Sequence, residues 1–515
     1  MKYSLYFHVY YIMSNDETRR GYSHILKYTS IFGGVQGLSI LVSVVRTKLV
    51  AILLGIGGVG LISIFNSTIR LLGDATNLGI PTSAVREVSE AYAKGDEETL
   101  RDKIRLVRSW SVLTAILGTF LCACLAPLLD KWTFSWGNHT LHFLFLSPTV
   151  GITAIAGCEL AILKGCRQLR RLAEISVLNV IAALITSIPL YYIWGETSIV
   201  PSLFVIALTQ LLLVIVYSAR RFPYNVSLSK QSLGKGVSMV TVGLAFVLAG
   251  VMGSGADFLI RSYMNNVDDL GMVGLYNAGF MMTMTYSGMV FTAMDTDYFP
   301  RLSAVKGIGQ QLNDMVNKQI EVCLLLVSPM LVAFMVGLPV LIPLFYSNDF
   351  LPVIGMTQVT MLAMYIRAIE LPVAFIALAK GDSKPYLLTE AVYDILLVIL
   401  VLLCYNQWGL TGAGWGIALT GIIDIIFLLL FVRYKYKYSL SRGVWTYVLL
   451  QVPLGIATYF IINNTEGFAY WVTGSMMILV SLGISVHLLH SKTRLWEALK
   501  NKVSSKFFRK KEENI

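Results

Sequence analysis

Arg70 and Asp74 stand one helical turn apart in NSTIRLLGDATN, residues 66–77 of an otherwise apolar stretch. With Asn66 and Asn77 they form one polar stripe if the segment is helical. Gln36, Ser39, Ser43 and Arg46, with Lys48 beyond, make a second stripe, and Gly250, Ser254, Asp257 and Arg261 a third. Arg367 and Glu370 form another close pair, while Asp394 and Asp424 are lone acids deep in two later apolar stretches. A guanidinium offers a planar fork matched to phosphate oxygens. A carboxylate beside it can orient it, neutralise it or carry a proton. Two readings follow. Arg70–Asp74, Asp257–Arg261 and Arg367–Glu370 are neutralising pairs that lock helices, or the stripes converge on a water-filled cavity. In the second reading Arg46, Lys48, Arg70, Arg261 and Arg367 face Asp74, Asp257 and Glu370. That leaves a cationic excess suited to an anion, unless Glu159 or Asp394 reaches it. Asp394 and Asp424 are then candidates for coupling transport to an ion gradient.

The elements that must hold these residues are membrane helices. Of 515 residues 56% are hydrophobic and 14% charged, with mean hydropathy +0.67, whereas soluble domains carry about 25% charged residues. Stretches long enough to span a bilayer recur at 29–53, 60–80, 109–129, 140–163, 173–194, 198–218 and 237–262. They continue at 272–298, 320–345, 352–379, 386–404, 410–432, 445–463 and 470–490. The expected fold is an all-α polytopic membrane protein of about fourteen spans. A net charge of +11 could suggest nucleic acid, but its distribution follows the membrane. Of the 41 Lys and Arg, the ones outside the presumed cytoplasmic segments are Lys131, in an outer loop, and Arg46, Lys48, Arg70, Arg261 and Arg367, inside spans. The positive-inside rule then places both termini in the cytoplasm and makes a nucleic-acid partner unnecessary.

The chain also repeats itself. AILKGCRQLRRLAE (161–174) parallels ALAKGDSKPYLLTE (377–390), pairing Lys164, Gly165 and Glu174 with Lys380, Gly381 and Glu390 at an offset of 216. Arg46 and Arg261 are offset by 215, while Gly60 and Gly274, and Trp194-Gly195 and Trp408-Gly409, are offset by 214. An even number of spans per repeat makes the repeats parallel. The expected organisation is an N-terminal segment 1–24, a six-helix lobe 25–218, a linker 219–236 and a second lobe 237–435. An added helix pair 436–490 and a basic tail 491–515 follow.

Enzyme chemistry has no seat here. The outer connections 54–59, 130–139, 195–197, 263–271, 346–351 and 405–409 are too short for a catalytic domain, and neither a Walker A sequence nor H-E-x-x-H is present. That argues against a membrane-embedded polymerase or glycosyltransferase. The six cysteines have no metal-like spacing, so neither metal nor cofactor is expected. The inner loop 81–110 reads as an interfacial helix with Asp96 in an N-cap position. Glu159 is expected to pair with Lys164, and Asp295 and Asp297 to be solvated at the interface. Trp132, Trp136, Trp194 and Trp408 fit an aromatic belt. The first thirteen residues are too short and too aromatic for a secretory signal, and Met13 is an alternative start.

RTKLVAILLGIGGVGLISIFNSTIRLLGDATNLGIPTSAVREVSEAYAKGD (46–96) resembles the first helical hairpin of bacterial lipid-linked oligosaccharide flippases of the Wzx type. ILKGCRQLRRLAEISVLNVI (162–181) and LAKGDSKPYLLTEAVYDILL (378–397) are similar to the loops after their fourth and tenth spans. The same superfamily contains the multidrug and toxin extrusion transporters and the lipid II flippases. The resemblance implies two six-helix lobes around a central cavity with alternating access. It implies an undecaprenyl-diphosphate-linked oligosaccharide as substrate, carried to the periplasmic leaflet of the bacterial inner membrane for O-antigen-like polysaccharide synthesis. Cationic cavity residues of the family map onto Arg46, Arg70 and Arg261. Membrane lipid, a polysaccharide polymerase and a chain-length regulator would be its partners, and the chain would act as a monomer. An ion-coupled exporter of small molecules is the alternative, and carboxylates should dominate its cavity.

Overall fold

The computed structural model describes residues 2–229, 233, 234, 236–288, 291, 298, 299, 301–305 and 307–493. Its helices are α1 (Lys2–Thr76), α2 (Ile80–Lys94), α3 (Glu97–Thr133), α4 (Thr140–Gly165), α5 (Leu169–Trp194) and α6 (Ile199–Ala219). They continue with α7 (Val237–Val267), α8 (Leu270–Phe280) and a π-helical stretch Met281–Ser287. The series ends with α9 (Gln310–Phe345), α10 (Ile354–Ala379), α11 (Ser383–Tyr436), α12 (Arg442–Asn463) and α13 (Gly467–Thr493). Nine helical stretches among the described residues are long and apolar enough to cross a membrane. The protein is therefore a multi-pass membrane protein. Two stretches, Arg170–Ala219 and Ser383–Tyr436, run to 50 and 54 residues, well beyond the roughly 20 that one crossing needs. Each is broken at its Trp-Gly. Trp194 and Trp408 take φ/ψ of −115°/0° and −131°/17°, and Gly195 and Gly409 take 57°/−138° and 57°/−142°. Only glycine enters that region without strain. The α11 chain folds back there: a Cβ on Gly416 would lie 2.5 Å from Val401 Cα.

These matched backbones bear on the repeat. Its offset is 214 at the Trp-Gly breaks, at Gly60 and Gly274, and in the stretch where matching letters suggested 216, whereas Arg46 and Arg261 stand one residue off it. Cys166, Arg167 and Gln168 donate their N–H groups to Ile162, Lys164 and Leu163, as Lys380, Gly381 and Asp382 do to Ile376, Leu378 and Ala377. Arg167 and Gly381 both have positive φ, 54° and 71°. Gly381 is thus the counterpart of Arg167 and not of Gly165, because the backbone turn governs equivalence. Glu390 then corresponds to Ser176, Asp394 to Val180 and Asp424 to Gln210. The acids of α11 are additions of the second half.

The chain forms two compact units. One comprises residues 1–54, 72–130 and 138–247, the other 55–71, 131–137 and 248–515. In the first, α2 buries Ile80, Ala84, Val88 and Ala91, a stripe at helical spacing, beside Ile104, Val107 and Ile162. Its other face carries exposed Arg86 and Glu90, paired at 3.0 Å. The expected inner-loop helix is therefore two elements, stopped at left-handed Gly95 and restarted at α3. Asp96 caps α3 as expected, accepting from the N–H groups of Glu98 and Thr99 and from the Thr99 hydroxyl. The Thr99 hydrogen bonds hold the Asp96 carboxyl below its ordinary value. In the second unit α9 is central, contacting α10, α12 and α13. The added pair is seated by Tyr470, which donates to Val336 O at 2.8 Å, and bound internally by Gln451 to Ser485 at 2.9 Å.

Candidate functional site

Charged side chains in the first unit are locked into the helix framework. Arg108 and Glu159, each 1% exposed, pair through Nε–Oε1 at 2.6 Å and Nη2–Oε2 at 3.2 Å. Arg108 also donates to Ser218 Oγ and to the carbonyls of Phe222 and Pro223, and lies under the Tyr224 ring. Glu159 therefore pairs with Arg108 of the preceding helix α3, and not with the expected Lys164 on its own helix α4. Arg46 is half-buried and donates from Nε to Ser187 Oγ at 3.2 Å, with Tyr191 adjacent. Lys48 is half-buried nearby in sequence.

In the second unit a close helix crossing seats the arginines. Gly60 and Gly274, related by the repeat, meet: a Cβ on Gly60 would lie 2.0 Å from Leu270 O, and one on Gly274 would lie 2.0 Å from Ile56 O. Small residues let membrane helices approach this closely. Three residues on, Ser63 donates to Asn277 Oδ1 at 2.9 Å, another pair at the same offset. Ser63 Oγ also accepts Arg261 Nε at 2.8 Å, and Arg261 Nη1 reaches Asp257 Oδ1 at 3.0 Å. The Arg261 guanidinium lies 5.6 Å and 5.5 Å from the ring centroids of Tyr276 and Phe280. Asp257 Oδ2 takes Arg70 Nη1 at 3.3 Å.

The Asp257–Arg261 pair is thus present, and Asp257 bridges to Arg70 as well. Arg261 is 6% exposed at its side chain and Arg70 is 66% exposed. One arginine is structural in its surroundings and the other is accessible. The polar stripe ends sooner than its spacing implied, because the helix stops at Thr76. Asn77 sits in the turn, accepting Gly79 N–H at 2.7 Å and donating to Asp74 at 3.5 Å.

A second polar group lies between α10 and α11. Half-buried Arg367 is within electrostatic reach of Tyr393, Glu370 and Glu390. Asp394 lies near Glu390 and Asp257, and Asp424 near Glu370, Glu390, Arg367 and Asp394. Asp394 Oδ2 and Asp424 Oδ1 are buried with no hydrogen-bond partner among the described residues. In this unit Asp257, Glu370, Glu390, Asp394 and Asp424 outnumber Arg70, Arg261 and Arg367. The expected cationic excess also counts Arg46 and Lys48, which belong to the first unit; in the second, α11 adds Glu390 to the expected Asp394 and Asp424. Glu390 was legible only as a repeat match, yet it lies one turn before Asp394, the spacing that places both on one helix face. Asp295 and Asp297 lie outside the described residues. Among the described residues no three His, Cys, Asp or Glu side chains are arranged to hold a metal ion.

A family model for a polysaccharide biosynthesis protein matches residues 25–306. The chain belongs to that family. A comparison with curated proteins found no match. Among solved structures, the chain is similar to an inward-facing multidrug resistance MATE family transporter of the MOP superfamily. That match has a TM-score of 0.62 and 15% identity, over 78% of this chain and 94% of the other. It is similar to the lipid II flippase MurJ in an inward closed conformation, with a TM-score of 0.63 and 14% identity over 90% and 99% of the two chains. It is also similar to a MOP superfamily transporter from Pyrococcus furiosus, with a TM-score of 0.58 and 16% identity over 79% and 93%. The chain shares its fold with these structures.

Proposed function

We propose that this protein is a flippase that moves undecaprenyl-diphosphate-linked oligosaccharide repeat units from the cytoplasmic to the periplasmic leaflet. The surface polysaccharide so built would be O-antigen-like, and the chain would reside in the bacterial inner membrane with both termini inside. The observation that carries the reading is Arg70, a guanidinium within an apolar helix, tethered by Asp257 yet 66% exposed at its side chain. Ionisable groups inside membranes mark substrate or ion pathways, and a guanidinium fork fits a diphosphate. Arg46 in the first lobe, 25–218, and Arg261 in the second, 237–435, would contribute to the same positive field, with Lys48 and Arg367 as further cations. A polar headgroup would pass between lobes while the prenyl tail stays in lipid, and alternating access would carry it across. The family match and the fold shared with a lipid II flippase support this reading.

Asp394, Asp424, Glu370 and Glu390 serve in this reading as the proton-coupling group, with Asp74 and Asp257 as pairing partners. The same acids favour a second reading, an ion-coupled exporter of small molecules with the same fold, because carboxylates outnumber arginines in their unit. Leaflet assays separate the two. Deleting the gene in a strain without a redundant flippase should leave lipid-linked repeat units on the cytoplasmic leaflet and remove surface polysaccharide. Unchanged leaflet distribution with intact polysaccharide would rule the flippase out in favour of the exporter.

A further inference from the structure

The N-terminal end of α9, at the start of the ninth predicted span, holds a cavity lined by none of the clustered arginines and carboxylates described above. It has a volume of about 470 Å³ and is lined by Arg301, Gln311, Asp314, Met315, Lys318, Gln319 and Val322. All but Arg301 come from one face of α9. The neighbouring face is occupied: Asn313 and Asn317 donate to the carbonyls of Lys437 and Ser439 at 3.4 Å and 3.0 Å, and Asn317 Oδ1 accepts Ser441 N–H at 3.0 Å. The connector 437–441 thereby pins one side of α9, leaving the side with Lys318 open. Lys318, Gln311 and Asp314 are exposed there.

Two cations and one carboxylate give the lining a net positive charge, and Lys318 stands between Met315 and Val322 along the helix. Toward the membrane the same face continues as Val322 and Leu326, 36% and 45% exposed. Lys318 sits two residues before the predicted span 320–345, the level at which lipid phosphates lie. A free phosphate would leave exposed Val322 and Leu326 without a use, whereas a lipid chain can follow them toward the membrane. Basic pockets of this kind on the cytoplasmic side recruit anionic headgroups.

We propose that this cavity binds the phosphate head of an anionic inner-leaflet lipid. Lys318 and Arg301 contact the phosphate oxygens, the Gln311 and Gln319 amides donate to the remaining head oxygens, and the first chain methylenes lie along Met315 and Val322. Asp314 weakens the site and sets its affinity. The inner-leaflet assignment rests on the topology of the proposed function, and the binding chemistry does not. Glycerophospholipid and polyprenyl phosphate share this chemistry.

The test is native mass spectrometry of the full-length protein in detergent with phosphatidylglycerol, undecaprenyl phosphate, phosphatidylcholine or inorganic phosphate. The double variant R301Q/K318Q should retain the favoured anionic lipid about thirtyfold more weakly, the effect of two basic residues at an anionic surface. D314N should retain it more tightly, and the exposed reference pair R86Q/R101Q should leave it unchanged. Whichever anionic lipid is held more tightly identifies the source. Equal retention by R301Q/K318Q, an equal loss in R86Q/R101Q, or displacement by inorganic phosphate at matching concentration overturns the site. Labelling of Q311C by an impermeant maleimide should require permeabilised cells. Labelling in intact cells would overturn the leaflet assignment while leaving the adduct result to stand separately.

Discussion

Gly60→Ala tests the helix crossing on which the arginine cluster is built. The added Cβ would sit 2.0 Å from Leu270 O and 3.0 Å from Gly274 N, against an ordinary contact of 3.4–4 Å. Both obstacles are backbone, so no side chain can rotate away and the helices must separate by about 1.4 Å. Overpacking of this kind costs about 1–3 kcal/mol. Separation also stretches the Ser63–Asn277 hydrogen bond, 2.9 Å long and one turn away, worth about 0.5–1.5 kcal/mol. Replacing helical glycine by alanine returns up to about 1 kcal/mol, so the net loss is roughly 1–3 kcal/mol. The assay is thermal unfolding in detergent followed by tryptophan fluorescence. Gly157→Ala is the control, since nothing lies within 4 Å of its added Cβ, and it should melt at or slightly above wild type. Gly274→Ala should match Gly60→Ala because the contact is reciprocal. A Gly60→Ala protein that melts no lower than Gly157→Ala would refute the reasoning.

Further outcomes follow from the same geometry. Arg108→Ala or Glu159→Gln should destabilise the first unit by about 3–5 kcal/mol, because each leaves a buried charge or its partner groups unpaired. Arg108→Lys should not rescue it, since an ammonium cannot reproduce the two-pronged contact; loss of folded protein on size-exclusion chromatography reads both. Arg70→Ala should abolish transport at normal membrane levels, whereas Arg261→Ala should lower the melting temperature as well, reflecting 66% against 6% side-chain exposure. Asp382 accepts Tyr436 Oη at 2.7 Å and Lys435 Nζ at 3.0 Å, which holds its carboxyl below the ordinary 3.8. Its stabilising contribution is therefore complete above the unfolded value and lost as pH falls through the lower folded one. Proteolysis of the 379–386 connection should rise in that acid range, and Asp382→Asn should remove the pH dependence.

Much of the fold was legible because a bilayer imposes length and polarity on every span. The Trp-Gly breaks, the Asp96 cap and the amphipathic α2 follow from local chemistry that neighbouring residues alone decide. The alignment of Gly165 with Gly381 failed for a related reason: letters matched where backbone turns did not, and Arg167 rather than Gly165 holds the equivalent left-handed position. Pairing was less legible. Sequence spacing proposes partners one turn away, but Glu159 meets Arg108 from another helix, and Asp257 gathers Arg70 as well as Arg261.

From the sequence alone came the membrane class, the repeat, the apolar spans and the identity of the unusual charges. These depend on composition and period, which tertiary context cannot alter. Only the tertiary structure decided which charges share a site. It separated an accessible Arg70 from an enclosed Arg261 and brought Glu390 and Asp424 within electrostatic reach of Arg367. Electrostatic partners are chosen by distances across helices that residue spacing does not encode.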